Sequence, residues 1–390
     1  MYLVFPNFNL YSLTLLIFVL QGLIFALLLL KRYFSKKHLS DLFLSLLLII
    51  SGYHSTTYII GFMDWYDTYQ NTKINYWLIH FIFAIGPLIY FYIKSLTQPY
   101  FKFRRIDYLH FLPALLYFIY RVSVFVYDAS LPGFANVQNG WFISNIHESY
   151  VSPILNIFTE LSMIVYLVLA GIQYSKYRKS IVQYFSNTYN VELNWLRNFL
   201  IIYTALYFFG LIIGLTDYSF FENYWKQRWW AFLAGSLTMI YVGMMSYFSN
   251  LSKLYNLQPP TDALESENLD STSKTDIVSQ KLKTQVAEYM ESQKPYLNPE
   301  ITLPDLAKEM QLSSNQLSQI INTEIEKNFN EFINEYRVKM FKSKLKDESV
   351  QHLSLLGIAM ECGFNSKATF NRVFKKITQV SPSEYLKKIS

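Results

Sequence analysis

The stretch Ser354-Leu355-Leu356-Gly357-Ile358-Ala359-Met360-Glu361-Cys362-Gly363-Phe364-Asn365-Ser366-Lys367-Ala368-Thr369-Phe370-Asn371-Arg372-Val373-Phe374-Lys375-Lys376 reads as two short helices around one turn. Ser354 offers an N-cap oxygen to a helix whose apolar positions are Leu355, Ile358, Ala359 and Cys362. Gly363 supplies the turn. Ser366 opens the next helix, which runs to Lys376 with Phe370, Val373 and Phe374 inward and Lys367, Thr369, Asn371 and Arg372 outward.

The same pattern stands once more upstream. After a helix over about Lys281 to Ser292, Thr302 and Asp305 cap a short amphipathic helix carrying Leu303, Leu306, Ala307 and Met310. Gln311 and Leu312 make a tight turn, and Ser313 with Gln316 forms a capping box for the following helix. Leu317, Ile320 and Ile321 give that helix its buried face. Asn315, Ser318, Gln319 and Asn322 lie on the other face, where Asn and Gln amides have the donor and acceptor pair that matches an adenine edge. Between the two copies, Phe329, Phe332, Ile333, Tyr336, Met340 and Phe341 recur at helical spacing and predict a longer connecting helix.

Cys362-Gly363-Phe364-Asn365-Ser366, then Phe370-Asn371-Arg372-Val373-Phe374-Lys375-Lys376, then Ser381-Pro382-Ser383-Glu384-Tyr385 resembles the C-terminal signature of AraC/XylS-type transcriptional regulators. The resemblance covers about residues 281 to 388. It implies seven helices in two subdomains joined by a long helix, with each recognition helix entering a segment of the major groove about one turn from the other. By that resemblance Asn315, Ser318 and Gln319 occupy reading positions of the first helix, where Asn322 shares their outward face, and Lys367, Thr369, Asn371 and Arg372 occupy those of the second. Glu326 and Gln379 stand where the family usually has glycine, so a positive φ at either position would add strain. Gly357 falls inside a helix, at a cost of about 1 kcal/mol relative to alanine.

Upstream of this module the composition changes. The chain of 390 residues is 52% hydrophobic, 18% aromatic and only 16% charged, far from a soluble average. Seven apolar runs, at about Leu10–Leu30, Leu42–Ile60, Tyr76–Ile93, Tyr108–Val126, Ser152–Ile172, Leu196–Leu215 and Trp229–Phe248, are read as membrane spans. The basic residues come after the first run rather than before it, so that run is expected to remain in the mature protein. Lys31, Arg32, Lys36 and Lys37 fall in the first loop, Lys94, Lys102, Arg104 and Arg105 in the third, and Lys176, Arg178 and Lys179 in the fifth. The even loops are poorer in Lys and Arg, so the N-terminus is expected outside and the C-terminus in the cytoplasm of a bacterial inner membrane. Trp65, Trp77, Trp229 and Trp230 fall at the expected outer ends and Trp195 at an inner end. The run Ile85-Gly86-Pro87-Leu88-Ile89-Tyr90 resembles one in the seven-span domains that some Bacteroidetes regulators carry. A retinal-binding receptor is excluded, because the last span holds no lysine for a Schiff base.

The expected organisation is all-α: a seven-span membrane domain over 1–250, a flexible polar linker over 251–280, and a DNA-binding domain over 281–390. Linker residues Asp262, Glu265, Glu267, Asp270 and Asp276 face Lys274 alone, which keeps that segment off anionic lipid and DNA. Within the spans, His54, His80, Arg121 and Glu160 are the ionisable residues that need an account. Charges at such depth favour a bundle interior or wet cavity, so these four form the candidate sensor pocket, together with Ser55, Thr56 and Thr57.

One cysteine, Cys362, leaves no intrachain disulfide or cysteine metal cluster, and its small apolar character fits a core position. Enzyme motifs are missing: there is no H-E-x-x-H, no G-x-S-x-G and no phosphate-binding glycine loop. The function read from these residues is a membrane-bound, sequence-specific transcription regulator that needs no cofactor. Its partners are double-stranded DNA, the lipid bilayer and an unidentified signal ligand, with a homodimer left open. The alternative is a transporter or receptor whose helix-turn-helix domain binds a partner, against which stands the lack of an internal repeat or of paired broken helices.

Overall fold

The computed structural model describes residues 5–69, 80–98, 101–132, 140–189, 191–215, 224–249, 275–346 and 353–389. Among the described residues the regular elements are helices, in agreement with the all-α reading, and β pairing is limited to an isolated antiparallel bridge between Phe185 and Thr302. The chain divides into two units. The first holds the described residues up to Ser175 and from Asn194 to Ser249; the second holds Lys176–Leu193 and the described residues from Thr275 onward. Lys176–Leu193, read as a loop of the membrane domain, groups with the C-terminal module.

The first unit contains α1 (Leu10–Lys36), α2 (Leu39–Phe62), α3 (Ile82–Thr97), α4 (Leu112–Ser130), most of α5 (Ser152–Tyr184), α6 (Asn194–Leu215) and α7 (Tyr224–Phe248). Among the described residues, six helical stretches are long and apolar enough to cross a membrane: Leu10–Lys36, Leu39–Phe62, Arg105–Ser130, Ile143–Tyr184, Asn194–Ile213 and Arg228–Phe248. The expected third span corresponds to α3, an apolar helix of 16 residues, and positions 76–79 of that span lie outside the described residues. Trp77 lies outside them too.

Helix α1 is apolar on both its inner and its outer face. Asn9 caps it, accepting from the Ser12 amide at 3.1 Å, and Leu15, Val19, Gly22, Ala26 and Leu29 form one buried stripe. Apolar residues between them point outward, with Ile24 56% and Leu27 63% exposed. A water-soluble helix would place polar groups there. Small residues stand between α1 and α2: the Ser45 hydroxyl donates to the Ala26 carbonyl at 2.9 Å. At one end Arg32 forks onto Asp41, with Nε to Oδ2 at 2.7 Å and Nη2 to Oδ1 at 2.6 Å. The same guanidinium donates to the carbonyls of Ser246 and Tyr247, joining α1, α2 and α7.

Two other sites fix helix positions. Asp128, at the end of α4, is buried and accepts from the amides of Phe142 and Ile143 at 2.9 and 3.0 Å, capping the π-helical turn Ile143–Val151 that leads into α5. Gly86, beside Pro87 in α3, lies where an added Cβ would meet Tyr166 of α5 at 2.9 Å.

The second unit is built of α8 (Thr275–Gln293), α9 (Leu303–Glu309), α10 (Ser314–Gln319, continued by a π-helical turn Ile320–Glu324), α11 (Phe329–Lys344), α12 (Leu355–Glu361), α13 (Lys367–Thr378) and α14 (Pro382–Ile389). Among the described residues these seven α-helices match the number that the family resemblance implies. Helix α8 starts at Thr275, inside the stretch expected to be a flexible linker. Once Val286 and Met290 anchor the helix in the core, each residue added at its start gains a hydrogen bond without a new nucleation cost. The rest of the expected linker, 251–274, lies outside the described residues.

Two separate cores fill this unit. Val286, Met290, Leu303, Leu306, Leu317, Ile321, Phe329 and Ile333 belong to the first; Val338, Phe341, Ile358, Cys362, Phe370 and Phe374 belong to the second. Helix α11 feeds both. Its first half closes the first core and its second half closes the other, so one rigid helix holds the two subdomains.

Candidate nucleic-acid interface

Each helix pair of the second unit is assembled by the same local chemistry. Thr302 accepts from the Asp305 amide to start α9, and Ser354 accepts from the Gly357 amide at 3.1 Å to start α12. Each of these helices ends in a left-handed residue, Gln311 with φ 56° and Gly363 with φ 90°. The chain then folds back, with the Leu312 amide on the Ala307 carbonyl at 2.9 Å and the Phe364 amide on the Ala359 carbonyl at 3.1 Å. Ser313 and Ser366 cap the next helices, accepting from the Gln316 and Thr369 amides, both at 3.2 Å. Leu317, Ile320 and Ile321 on α10 and Phe370, Val373 and Phe374 on α13 are buried, which turns the opposite faces of both helices outward.

On α10 and its continuation, Asn315, Gln319 and Asn322 are exposed and Ser318 is half-buried. The Asn322 amide donates to the Ser318 hydroxyl at 3.1 Å, so one polar pair is already ordered on that face. On α13, Lys367, Asn371 and Arg372 are exposed, as expected. Thr369 is not. It is 4% exposed and bonded to Ser366, whose hydroxyl lies 2.9 Å from Thr369 Oγ1. The outward reading of Thr369 fails because the residue sits in the first turn beneath its own N-cap, which draws the short side chain inward.

Two cations of α13 already have acidic partners. Lys376 Nζ lies 2.6 Å from Glu331 Oε1 and holds that carboxyl below its usual range, while Arg372 Nη1 lies 3.3 Å from Glu192 Oε1. Burial pushes the Cys362 thiol up to about 11, in keeping with a core position rather than a reactive one.

The departures at Glu326 and Gln379 prove to be real conformational demands. Both residues take left-handed backbone, with φ 57° and 63°. Gly357 faces no close neighbour beyond ordinary contact, and nothing in the structure explains it.

In the first unit the expected sensor residues make contacts on several helices. His54 and His80 stack edge to face with ring centroids 4.8 Å apart, His80 meets Tyr117 at 5.5 Å, and Arg121 donates to the Tyr117 hydroxyl at 3.2 Å. Tyr120 adds His147 at 3.0 Å. Glu160 departs from the expectation: its residue is exposed, and its carboxylate accepts from the Tyr207 hydroxyl on α6. A cavity of about 260 Å³ opens between α1, α2, α6 and α7, with His54, Ser55, Tyr207 and Ser236 among its lining residues. Of the four expected residues His54 alone lines it, although Tyr207 brings Glu160 to its edge.

Sequence reasoning missed a buried polar row on α11. Asn330, Asn334 and Arg337 share one face, and Asn334 and Arg337 are 2% and 1% exposed. Arg337 donates from Nε to the Tyr296 carbonyl and from Nη2 to the Asn298 carbonyl, both at 2.8 Å. The signal was present as polar residues at helical spacing among the apolar positions of that helix, but spacing does not show what they meet.

Comparison with known proteins agrees with this geometry. Residues 306–388 match the family model of a helix-turn-helix domain. Over 86 residues the chain is 30% identical to an uncharacterized helix-turn-helix-type transcriptional regulator of Bacillus subtilis, YtdP, a match that spans 22% of this chain and 11% of that protein. No solved structure matches the chain. The helix-turn-helix assignment thus rests on the C-terminal module, and the chain covers a small part of that relative.

Proposed function

We propose that this chain is a membrane-anchored, sequence-specific DNA-binding transcription regulator, in which a helical bundle receives a signal and the C-terminal module reads a promoter. The observation that carries the reading is the paired geometry of α10 and α13: two recognition helices with the same caps and turns, fixed by the single helix α11. Asn315, Ser318, Gln319 and Asn322 then face one major-groove segment, and Lys367, Asn371 and Arg372 the next. Thr369 acts in this reading by holding the start of α13 rather than by touching a base.

The basic odd loops support an N-terminus outside and a cytoplasmic C-terminal module. The lipid bilayer is the first unit's solvent, and the signal ligand enters the cavity beside His54 and Tyr207 or the neighbouring His80 and Arg121 cluster. A ligand there acts by favouring one bundle arrangement over another. Chromatin immunoprecipitation with the intact, membrane-bound protein tests the DNA-binding reading: discrete enriched sites support it, and a uniform background rejects it. Reporter fusions after Asn256 test the orientation, with a cytoplasm-dependent reporter expected active and a periplasm-dependent one silent. Glu160→Gln and Arg121→Gln are expected to change signal-dependent output without altering membrane insertion.

A further inference from the structure

Helix α5 continues past the first unit to Tyr184, and the segment that follows is seated on the helix-turn-helix module. Tyr184 packs on the first core, and Phe185 bridges Thr302. The Ser186 hydroxyl donates to the Ile301 carbonyl at 2.7 Å. The buried row of α11 takes the backbone of this segment. Asn330 donates to the carbonyls of Phe185 and Ser186 at 3.1 and 2.8 Å, Asn334 donates to the Ser186 carbonyl at 3.2 Å, and Arg337 Nη2 donates to the Ser186 hydroxyl at 3.2 Å. A buried amide on a helix face costs stability unless it is bonded, so this row is shaped for an extended chain at that place.

The far end of the segment reaches the second recognition helix. Glu192 is 6% exposed, and its carboxylate gathers Thr188 Oγ1 at 2.6 Å, Arg178 Nη1 at 3.0 Å and Arg372 Nη1 at 3.3 Å. Arg372 is one of the residues assigned to DNA. A carboxylate offers a guanidinium the same negative oxygens as a phosphate or an acceptor edge, so Glu192 and DNA would draw on one cation.

We propose that residues 176–193 form a clamp on the DNA-binding module. The segment docks on Asn330, Asn334 and Arg337, and Glu192 withholds Arg372 from DNA. This rests on the DNA-binding reading above. Because binding free energies are reciprocal, DNA weakens the docked state by the factor by which the docked segment weakens DNA binding. The clamp is the direct continuation of α5, so a signal that alters that helix has a covalent path to the module.

The test uses the full chain in lipid nanodiscs with a random-sequence DNA duplex at low salt. Glu192→Gln is expected to raise duplex affinity by about 5-fold or more. The same change in an Arg372→Gln background is expected to have no effect, since the competed cation is gone. Hydrogen exchange of the unaltered chain gives a second measurement that does not depend on a variant folding: on addition of duplex, amides of Phe185 to Leu193 should lose protection as those of α13 gain it. Unchanged affinity of Glu192→Gln, or a segment that stays protected while α13 binds duplex, overturns the clamp and leaves the DNA-binding reading standing. A duplex that neither form retains overturns the DNA-binding reading and the clamp with it.

Discussion

The carbonyl oxygen of Tyr296 occupies the place where a side chain on Gly363 would begin. A Cβ there would fall inside van der Waals contact of that oxygen and lie 3.0 Å from Arg337 Nε, which donates to the same carbonyl at 2.8 Å. The turn of the second helix pair thus lies directly against the loop before α9 of the first. Glycine is required here for two reasons, a φ of 90° and the absence of space. Gly363→Ala should destabilise the module by about 2 kcal/mol or more. Hydrogen exchange of α12 and α13 amides in the full chain checks this, and unaltered protection would refute the tight seam.

Glu326 and Gln379 hold left-handed backbone without being glycine, with φ 57° and 63°. Glu326→Gly and Gln379→Gly should each stabilise the module by about 0.5 to 1 kcal/mol, as relief of the left-handed penalty exceeds the added freedom of the unfolded chain. Raised amide protection in α11 and α14 is the expected observation.

Asp41 is 1% exposed at its side chain and holds Arg32 through both oxygens. Asp41→Asn leaves a guanidinium without its anion where water is scarce, and should cost about 3 kcal/mol. Denaturant titration of the detergent-solubilised protein measures the loss.

Cys362 has a thiol that burial pushes up from 9.0 to about 11. The folded state therefore keeps its proton longer than the unfolded state does. This contribution to stability is full below pH 9.0 and is lost as pH rises toward about 11. Iodoacetamide at pH near 8 should leave Cys362 unlabelled until the module is unfolded.

DNA affinity of the full chain should fall steeply with salt, because phosphate contacts release counterions. Gln319→Ala should cost about 1 to 3 kcal/mol on the promoter and little on scrambled duplex, if its exposed amide reads a base. Equal losses on both sequences would reject that role.

Much of this protein was legible in local sequence. Caps at Thr302, Ser313, Ser354 and Ser366, apolar spacing on α9 to α13, and charge-free runs upstream report interactions within a few residues, which is why the helices and the two-part module could be read directly. Gly363 and the unusual Glu326 and Gln379 were legible as turn positions for the same reason, though the sign of φ at each was a matter for the backbone. Thr369 shows the limit: helical phase placed it outward, while a bond to Ser366 turned it in. Contacts between segments far apart in the chain left no periodic trace. Only the tertiary structure paired Glu160 with Tyr207 and His54 with His80, and only it brought Ser186 and Glu192 onto a module more than a hundred residues downstream, as in the Ser186 to Ile301 bond with a separation of 115. Local chemistry fixes helices residue by residue, whereas a buried polar group is satisfied by whichever partner the fold delivers, and that partner is decided by packing.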